Sequence, residues 1–119
     1  MENPKFEFYT RPSGHNEFQE FLESLKPVEK QKLVTVIAKT QKFGLQVAAR
    51  QMWIRKISDG IFELRTTGSN IQRGLYFHVE GPHYVITHGF VKKTQKTPVS
   101  EFNHAKELRT EYYDNLGGK

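Results

Sequence analysis

The stretch MWIRKISDGIFELRT (residues 52–66) decides the fold, because two runs of mixed apolar and polar residues flank the dipeptide Asp59–Gly60. An Asp-Gly pair between two such runs is a strong signal for a β-hairpin with a two-residue turn. The sequence therefore predicts one strand from Met52 to Ile57 and a return strand from Ile61 to Thr66.

A second hairpin follows directly. The runs Ile71–Val79 and Tyr84–Val91 are rich in aromatic and β-branched residues and are separated by Glu80-Gly81-Pro82. A Thr-Gly-Ser-Asn loop at residues 67–70 connects the two hairpins. Four strands joined by short turns predict an antiparallel meander.

The residues before the meander predict one strand and two helices. Lys5–Tyr9 alternates polar and aromatic residues, as a first strand does. Ser13 can cap a helix whose apolar positions follow a spacing of three and four residues: Phe18, Phe21, Leu22 and Leu25. Pro27 suits the first turn of a second helix, and Gly44 suits its end.

The residues after the meander predict a last helix, which Thr97-Pro98 opens. The chain of 119 residues is then one α+β domain, residues 1–119. It consists of an N-terminal strand, a helical hairpin, a four-stranded antiparallel meander and a C-terminal helix.

Charge is distributed unevenly along the chain. Residues 37–100 contain 10 Lys and Arg against 3 Asp and Glu, whereas residues 1–36 contain 5 against 6 and residues 101–119 contain 3 against 4. The whole formal surplus of +5 therefore comes from the middle of the chain. Such a concentration of positive charge favours a polyanion such as nucleic acid, or an acidic protein partner. A solvated basic surface is the alternative.

Several classes of site are excluded or disfavoured. The chain has no cysteine, so it has no disulfide, thiolate zinc site or cysteine nucleophile, as suits a reducing cytoplasm. No apolar run resembles a signal peptide or a membrane span, so we expect a cytoplasmic protein that uses no membrane. Only Asp59, Glu63 and Glu80 are acidic between residues 37 and 100, too few for a two-metal nuclease. We expect neither a metal nor another cofactor.

Basic residues are predicted to meet at the strand ends. Arg65 ends one strand and Arg73 begins the next, so their antiparallel pairing places them side by side. Arg73 has the parity of Leu75 and Phe77, so we expect it at the rim, beyond the apolar layer. Surface ion pairs to Glu63 or Glu80 are the alternative for either arginine. Further polar and basic residues flank these strands: Arg55, Lys56, Lys92, Lys93, Gln95 and Lys96. For the lysines, a solvated loop is the alternative.

Three segments carry a family resemblance: KISDGIFELR (residues 56–65), RGLYF (73–77) and HGFVKKTQKTP (88–98). They resemble the phage-derived, HigB-like branch of the RelE/ParE toxin superfamily, over about Phe6 to Tyr113. The third segment is a specific marker, and the first is shared more loosely across the superfamily.

This resemblance implies the toxin of a type II toxin–antitoxin system, which inhibits translation. Such a toxin enters the ribosomal A site and cuts messenger RNA there as a metal-independent endoribonuclease. The implied partners are a HigA-like helix-turn-helix antitoxin, the ribosome with its message, and operator DNA bound through the antitoxin. An acidic antitoxin face is expected, because it would neutralise the basic middle of the chain.

The resemblance also implies site residues. Arg65, Arg73, Lys92 and Lys93 are the catalytic candidates that it gives. From the residues themselves, His88 is a further catalytic candidate, and Arg55, Lys56, Gln95 and Lys96 are RNA-binding candidates. We expect a ribose 2′-hydroxyl to attack the adjacent phosphate, which Arg65 and Arg73 would clamp. A lysine or His88 would then be the general base, and the sequence does not decide between them. Many relatives carry a tyrosine near the start of the final helix where this chain has Phe102, so Tyr76, Tyr112 and Tyr113 are weak substitutes.

Two other functions fit the same sequence. A ParE-like inhibitor of DNA gyrase would share the fold and cut nothing. A non-catalytic nucleic-acid-binding module would bind with a strong dependence on salt, again without cleavage. A third alternative is a phage remnant that has lost its activity.

Overall fold

The predicted order of elements is present in the computed structural model, which describes residues 3–66, 71–93 and 96–117. The elements are β1 (Lys5–Phe8), α1 (Glu17–Ser24), α2 (Pro27–Phe43), α3 (Leu45–Arg50), β2 (Ile54–Ser58), β3 (Ile61–Arg65), β4 (Ile71–Glu80), β5 (His83–Lys92) and α4 (Val99–Gly117). The protein is therefore of the α+β class, as predicted, and its arrangement is compatible with a RelE-like fold.

The five strands form one sheet in the order β1-β5-β4-β3-β2. The strands β2 to β5 pair antiparallel, which confirms the predicted meander. Strand β1 lies parallel to β5 at the edge of the sheet, where Lys5 pairs with His83. The turn between β2 and β3 has positive φ at Asp59 (50°) and at Gly60 (76°), which is the geometry that two-residue hairpins favour.

Apolar side chains cover both faces of the sheet. On one face, α4 packs its buried Ala105, Leu108 and Tyr112 against β3, β4 and β5. On the other face, α1, α2 and α3 pack against residues of opposite parity, among them Leu64, Tyr76 and Ile86. Because successive residues of a strand point to opposite faces, each strand supplies both clusters.

The structure corrects three local predictions. Asn16, not Ser13, caps α1, because its Oδ1 accepts a hydrogen bond from the Gln19 amide at 3.0 Å. The helix α3 after Gly44 was not predicted, since its six residues are too few to show a period. Strand β2 begins at Ile54 and not at Met52, whose φ of 66° is incompatible with a strand.

The predicted loop at residues 67–70 lies outside the described residues. Among the described residues, no helix is long and apolar enough to cross a membrane.

Candidate active site

A buried carboxylate organises the basic end of the sheet. Glu63 lies on the α4 face of β3 with no exposed surface. Four cationic groups surround its Oε1 atom: Arg73 Nε at 3.2 Å, Lys92 Nζ at 3.6 Å, Arg55 Nη2 at 3.9 Å and Arg65 Nε at 3.9 Å. We call these five residues the Glu63 cluster. With four cations and one carboxylate, it has an excess of three positive charges.

The sheet register explains why distant residues meet here. Glu63 pairs with Arg55 on β2. Arg65 pairs with Arg73 on β4, and this pairing was predicted from the sequence. Alternation along each strand then places all these side chains on the α4 face. Lys92 is the last residue of β5 and pairs with Ile71, the first residue of β4.

The cluster is graded from buried to exposed. The side chains of Arg73 and Lys92 are 3 % and 2 % exposed, whereas those of Arg65 and Arg55 are 19 % and 40 % exposed. Arg73 does lie beyond the apolar layer, yet it is buried and not at an open rim. Glu63 makes this burial tolerable, because an ion pair offsets part of the desolvation cost of the guanidinium.

Burial and neighbouring charges alter the acidity of the two buried cations. Burial lowers the pKa of Arg73 to about 10, although the carboxylate of Glu63 acts in the opposite direction. Burial also lowers the pKa of Lys92, and the neighbouring arginines add to this effect while Glu63 opposes it. Lys92 therefore loses its proton more readily than an exposed lysine, which makes its neutral amine more available as a base.

Hydrogen bonding distinguishes the two central arginines. Arg73 Nη1 donates to the carbonyl oxygens of Thr66 and Gln72, both at 3.0 Å, so backbone groups hold its guanidinium in place. The buried Nε and Nη1 atoms of Arg65 have no hydrogen-bond partner among the described residues, and the same holds for Nε of Arg73, which lies 3.2 Å from Glu63 Oε1. Buried donors without a partner are costly, and a bound anion would satisfy them.

The cluster opens toward the segment between β5 and α4. Thr97 Oγ1 donates a hydrogen bond of 2.7 Å to Glu63 Oε2, which ties this segment to the carboxylate. A cavity of about 390 Å³ lies between β2 and the same segment, lined by Arg55, Lys56, Ile57, Lys96 and Thr97. Three of its five lining residues are basic, so it suits a polyanion.

The other predicted site residues are placed differently. Lys93 is exposed and follows the end of β5. Gln95 lies outside the described residues. Phe102 packs against the apolar cluster under α4, with Lys106 Nζ 5.2 Å from its ring centre.

His88 does not join the Glu63 cluster. Leu75 lies between the two, because it pairs with Glu63 on one side and with His88 on the other. Nε2 of His88 is 3.0 Å from Glu101 of α4, and its ring lies 4.7 Å from that of His104. Burial lowers the pKa of His88, as does His104, whereas Glu101 opposes this shift.

The sequence predicted for Glu63 only a surface ion pair with one of the arginines, and this prediction was wrong because Glu63 is fully buried. The sequence does contain the information needed. The hairpin register places Arg65 beside Arg73, and Glu63 lies two residues before Arg65 in the same strand and therefore on the same face of the sheet. A carboxylate on the same face as several cations attracts them and can pair with more than one. The hydrogen bond from Thr97 to Glu63 could not be predicted from the sequence, because the two residues are 34 positions apart.

The fold and this cluster define an α+β domain with a group of four cationic side chains around one buried carboxylate at one end of its sheet. Residues 20–110 match the family described as Phage derived protein Gp49-like (DUF891). The match covers far more than half of the chain and includes the whole Glu63 cluster, so the protein belongs to this family. No curated protein gives a significant match.

Proposed function

We propose that the protein is the toxin of a type II toxin–antitoxin system and cuts messenger RNA in the ribosomal A site. The observation that carries this proposal is the Glu63 cluster, in which four cations share a single carboxylate. Such an excess of charge suits a phosphodiester, and membership of a phage-derived family supports the resemblance to HigB-like toxins.

The proposed reaction is an intramolecular transesterification. The ribose 2′-oxygen forms a bond to the adjacent phosphorus, and the bond from phosphorus to the 5′-oxygen of the next nucleotide breaks. The 2′-hydroxyl gives its proton to a base, and the departing 5′-oxygen receives one. The products are a 2′,3′-cyclic phosphate and a free 5′-hydroxyl, and no metal or cofactor takes part.

Exposure and hydrogen bonding assign the roles of the three arginines, and acidity assigns that of Lys92. Arg65, whose Nε and Nη1 lack partners, and the more exposed Arg55 would contact the phosphate oxygens. Arg73 would act through Arg65 and Glu63 as a positioning residue, because its own Nη1 is already bonded to two carbonyls. Lys92 would accept the proton of the 2′-hydroxyl, consistent with its lowered pKa.

Lys56 and Lys96 line the neighbouring cavity and would hold the flanking RNA backbone. The antitoxin would then be a HigA-like helix-turn-helix protein whose acidic face opposes these residues. Operator DNA would be bound through that antitoxin.

Induced expression in a bacterium tests the proposal, with primer extension on a translated message and on an untranslated control. We expect cuts within codons of the translated message only. Arg65→Gln should abolish them, whereas Arg50→Gln removes an exposed arginine of α3 and should leave them unchanged. Intact message beside arrested growth would indicate a gyrase-type target, and intact message with normal growth would indicate a binding module or an inactive toxin.

A further inference from the structure

The two oxygens of the Glu63 carboxylate have different partners. All four cation distances of the Glu63 cluster, from 3.2 to 3.9 Å, are to Oε1. Oε2 instead accepts a hydrogen bond of 2.7 Å from Thr97 Oγ1. Oε1 makes no hydrogen bond with the described residues, so the bond from Thr97 sets the orientation of this buried carboxylate.

The position of the Thr97 hydroxyl is fixed by the start of α4. Pro98, the next residue, restricts the backbone of Thr97 to extended conformations. The carbonyl oxygen of Pro98 accepts hydrogen bonds of 3.1 Å from the amides of Glu101 and Phe102, in the first turn of α4. Phe102 packs against the apolar cluster that α4 forms with the sheet. The docking of α4 therefore brings a donor to Glu63 from outside the strands.

Arg65 has the donors that this arrangement keeps free. Its Nε lies 3.9 Å from Glu63 Oε1, and its Nε and Nη1 atoms are buried without a hydrogen-bond partner among the described residues. A guanidinium beside a carboxylate frequently bonds both oxygens through two parallel hydrogen bonds. Because Thr97 holds Oε2 toward the segment between β5 and α4, that pairing does not form here.

We propose that Thr97 is a positioning residue, which holds Oε2 of Glu63 and thereby leaves Nε and Nη1 of Arg65 open for an RNA phosphate. The inference rests on the proposed function for the identity of that anion. Without the hydroxyl, Oε2 would be a buried acceptor beside unpartnered donors, and both are costly. The carboxylate would then turn and pair with Arg65, in the place that the phosphate takes.

Two substitutions of one residue test the hydroxyl. Thr97→Val removes it and keeps the shape of the side chain, whereas Thr97→Ser keeps it. The probe is a labelled 2′-O-methyl RNA hexanucleotide, which has no 2′-hydroxyl and cannot be cut by the proposed reaction. In fluorescence anisotropy, Thr97→Val should raise the Kd at least about tenfold, because hydrogen bonds to charged groups contribute that factor or more. Thr97→Ser should bind as the native protein does.

Two further variants control for bulk and for location. Thr97→Ala removes the hydroxyl without the branched side chain of valine and should give the same loss of affinity. Thr110→Val makes the matched change at an exposed threonine of α4 and should leave the Kd unchanged. Urea titration of each variant reports whether the fold is kept, and Kd values are compared under conditions where all are folded.

A double-variant cycle separates a positioning role from a merely structural one. Because Thr97 acts through Arg65, Thr97→Val should have little further effect on the Kd in a chain that already carries Arg65→Gln. A structural role would instead raise the Kd by the same factor in both backgrounds, and that result would overturn the proposal. Equal Kd values for the native protein and Thr97→Val would also overturn it.

Cleavage of a translated message distinguishes the failure of this inference from that of the proposed function. Weaker probe binding by Thr97→Val, beside a native protein that makes no cuts, would support the positioning role and overturn RNA cleavage. Cuts made equally well by the native protein and by Thr97→Val would support RNA cleavage and overturn the positioning role.

Discussion

Two ionic groups of this domain are built in opposite ways. In the Glu63 cluster, one carboxylate serves four cations at 3.2 to 3.9 Å. In the second group, Arg11 bonds Glu17 at 2.7 Å and Glu111 at 3.0 and 3.1 Å. We call the second group the Arg11 network, whose other members are Tyr9, His88, Glu101 and His104.

The difference lies in charge and in satisfaction of donors. The Arg11 network supplies three carboxylates for one arginine and two histidines, and each side chain has a short hydrogen bond. It joins the end of β1, the start of α1, β5 and α4, so it fixes α4 to the rest of the domain. The Glu63 cluster has surplus cations and unpartnered donors. A network whose donors and acceptors are paired stabilises a structure, whereas surplus cations with unpartnered donors have capacity for a further anion.

Glu63→Gln should have the largest effect, because it leaves Arg73 and Lys92 buried without their counter-charge. We expect a loss of about 3–5 kcal/mol in the free energy of unfolding. Urea titration measures it, and Glu80→Gln, an exposed glutamate of β4, is the control. A loss no larger than that of the control would show that the four cations do not need the carboxylate.

Arg65→Gln should separate function from stability. Loss of one group that stabilises a transition state costs on the order of 10²–10³ in rate, and here the cleavage rate should fall by that factor. The free energy of unfolding should change little, because Nε and Nη1 of Arg65 make no hydrogen bond that would be lost and the ion pair of Arg65 with Glu63 is 3.9 Å long. Cleavage assays and urea titration on the same preparation check both parts. Full cleavage would remove Arg65 from the site.

Arg11→Gln should show the reverse pattern. Its bonds to Glu17 and Glu111 hold three elements together, but its side chain is 34 % exposed, so solvent reduces their contribution. We expect a loss of about 1 kcal/mol in the free energy of unfolding and an unchanged cleavage rate at a temperature where the variant is folded. A fall in cleavage as large as that of Arg65→Gln would contradict a purely structural role.

Acid should weaken the Arg11 network in a defined pH range. The hydrogen bond from Arg11 is the largest cause that lowers the pKa of Glu111, which burial opposes. A carboxyl whose pKa is lower in the folded state stabilises the fold above its unfolded value, about 4.3, and that contribution is lost as pH falls through the folded value. Urea titrations from pH 7 to pH 3 should show this loss, and Glu111→Gln should reduce it.

The substitution His88→Gln should have the smallest effect, and that effect should be on the pH dependence of the free energy of unfolding. Because burial lowers its pKa, the folded state resists its protonation, and stability should decline as pH falls below about 6.5. His88→Gln should flatten the stability profile between pH 6.5 and pH 5 and leave cleavage intact. A hundredfold fall in cleavage at constant stability would instead return His88 to the list of catalytic candidates.

The sequence predicts local and periodic features of this protein well. Asp59–Gly60 fixes the first hairpin, and its register brings Arg65 to Arg73, because turn and strand geometry act over a few residues. The buried role of Glu63 and the contact from Thr97 depend on packing between distant segments. The link from His88 to Glu101 depends on where α4 docks, which no local pattern determines.

The position of β1 has a consequence for the order of folding. Its one neighbour in the sheet is β5, and the paired residues Lys5 and His83 are 78 positions apart in the sequence. Closing so long a loop is slow compared with forming the hairpins of the meander. We therefore expect the meander to form first and β1 to add last. Until then, β5 is an open edge that other chains can join, so refolding yield should fall as protein concentration rises.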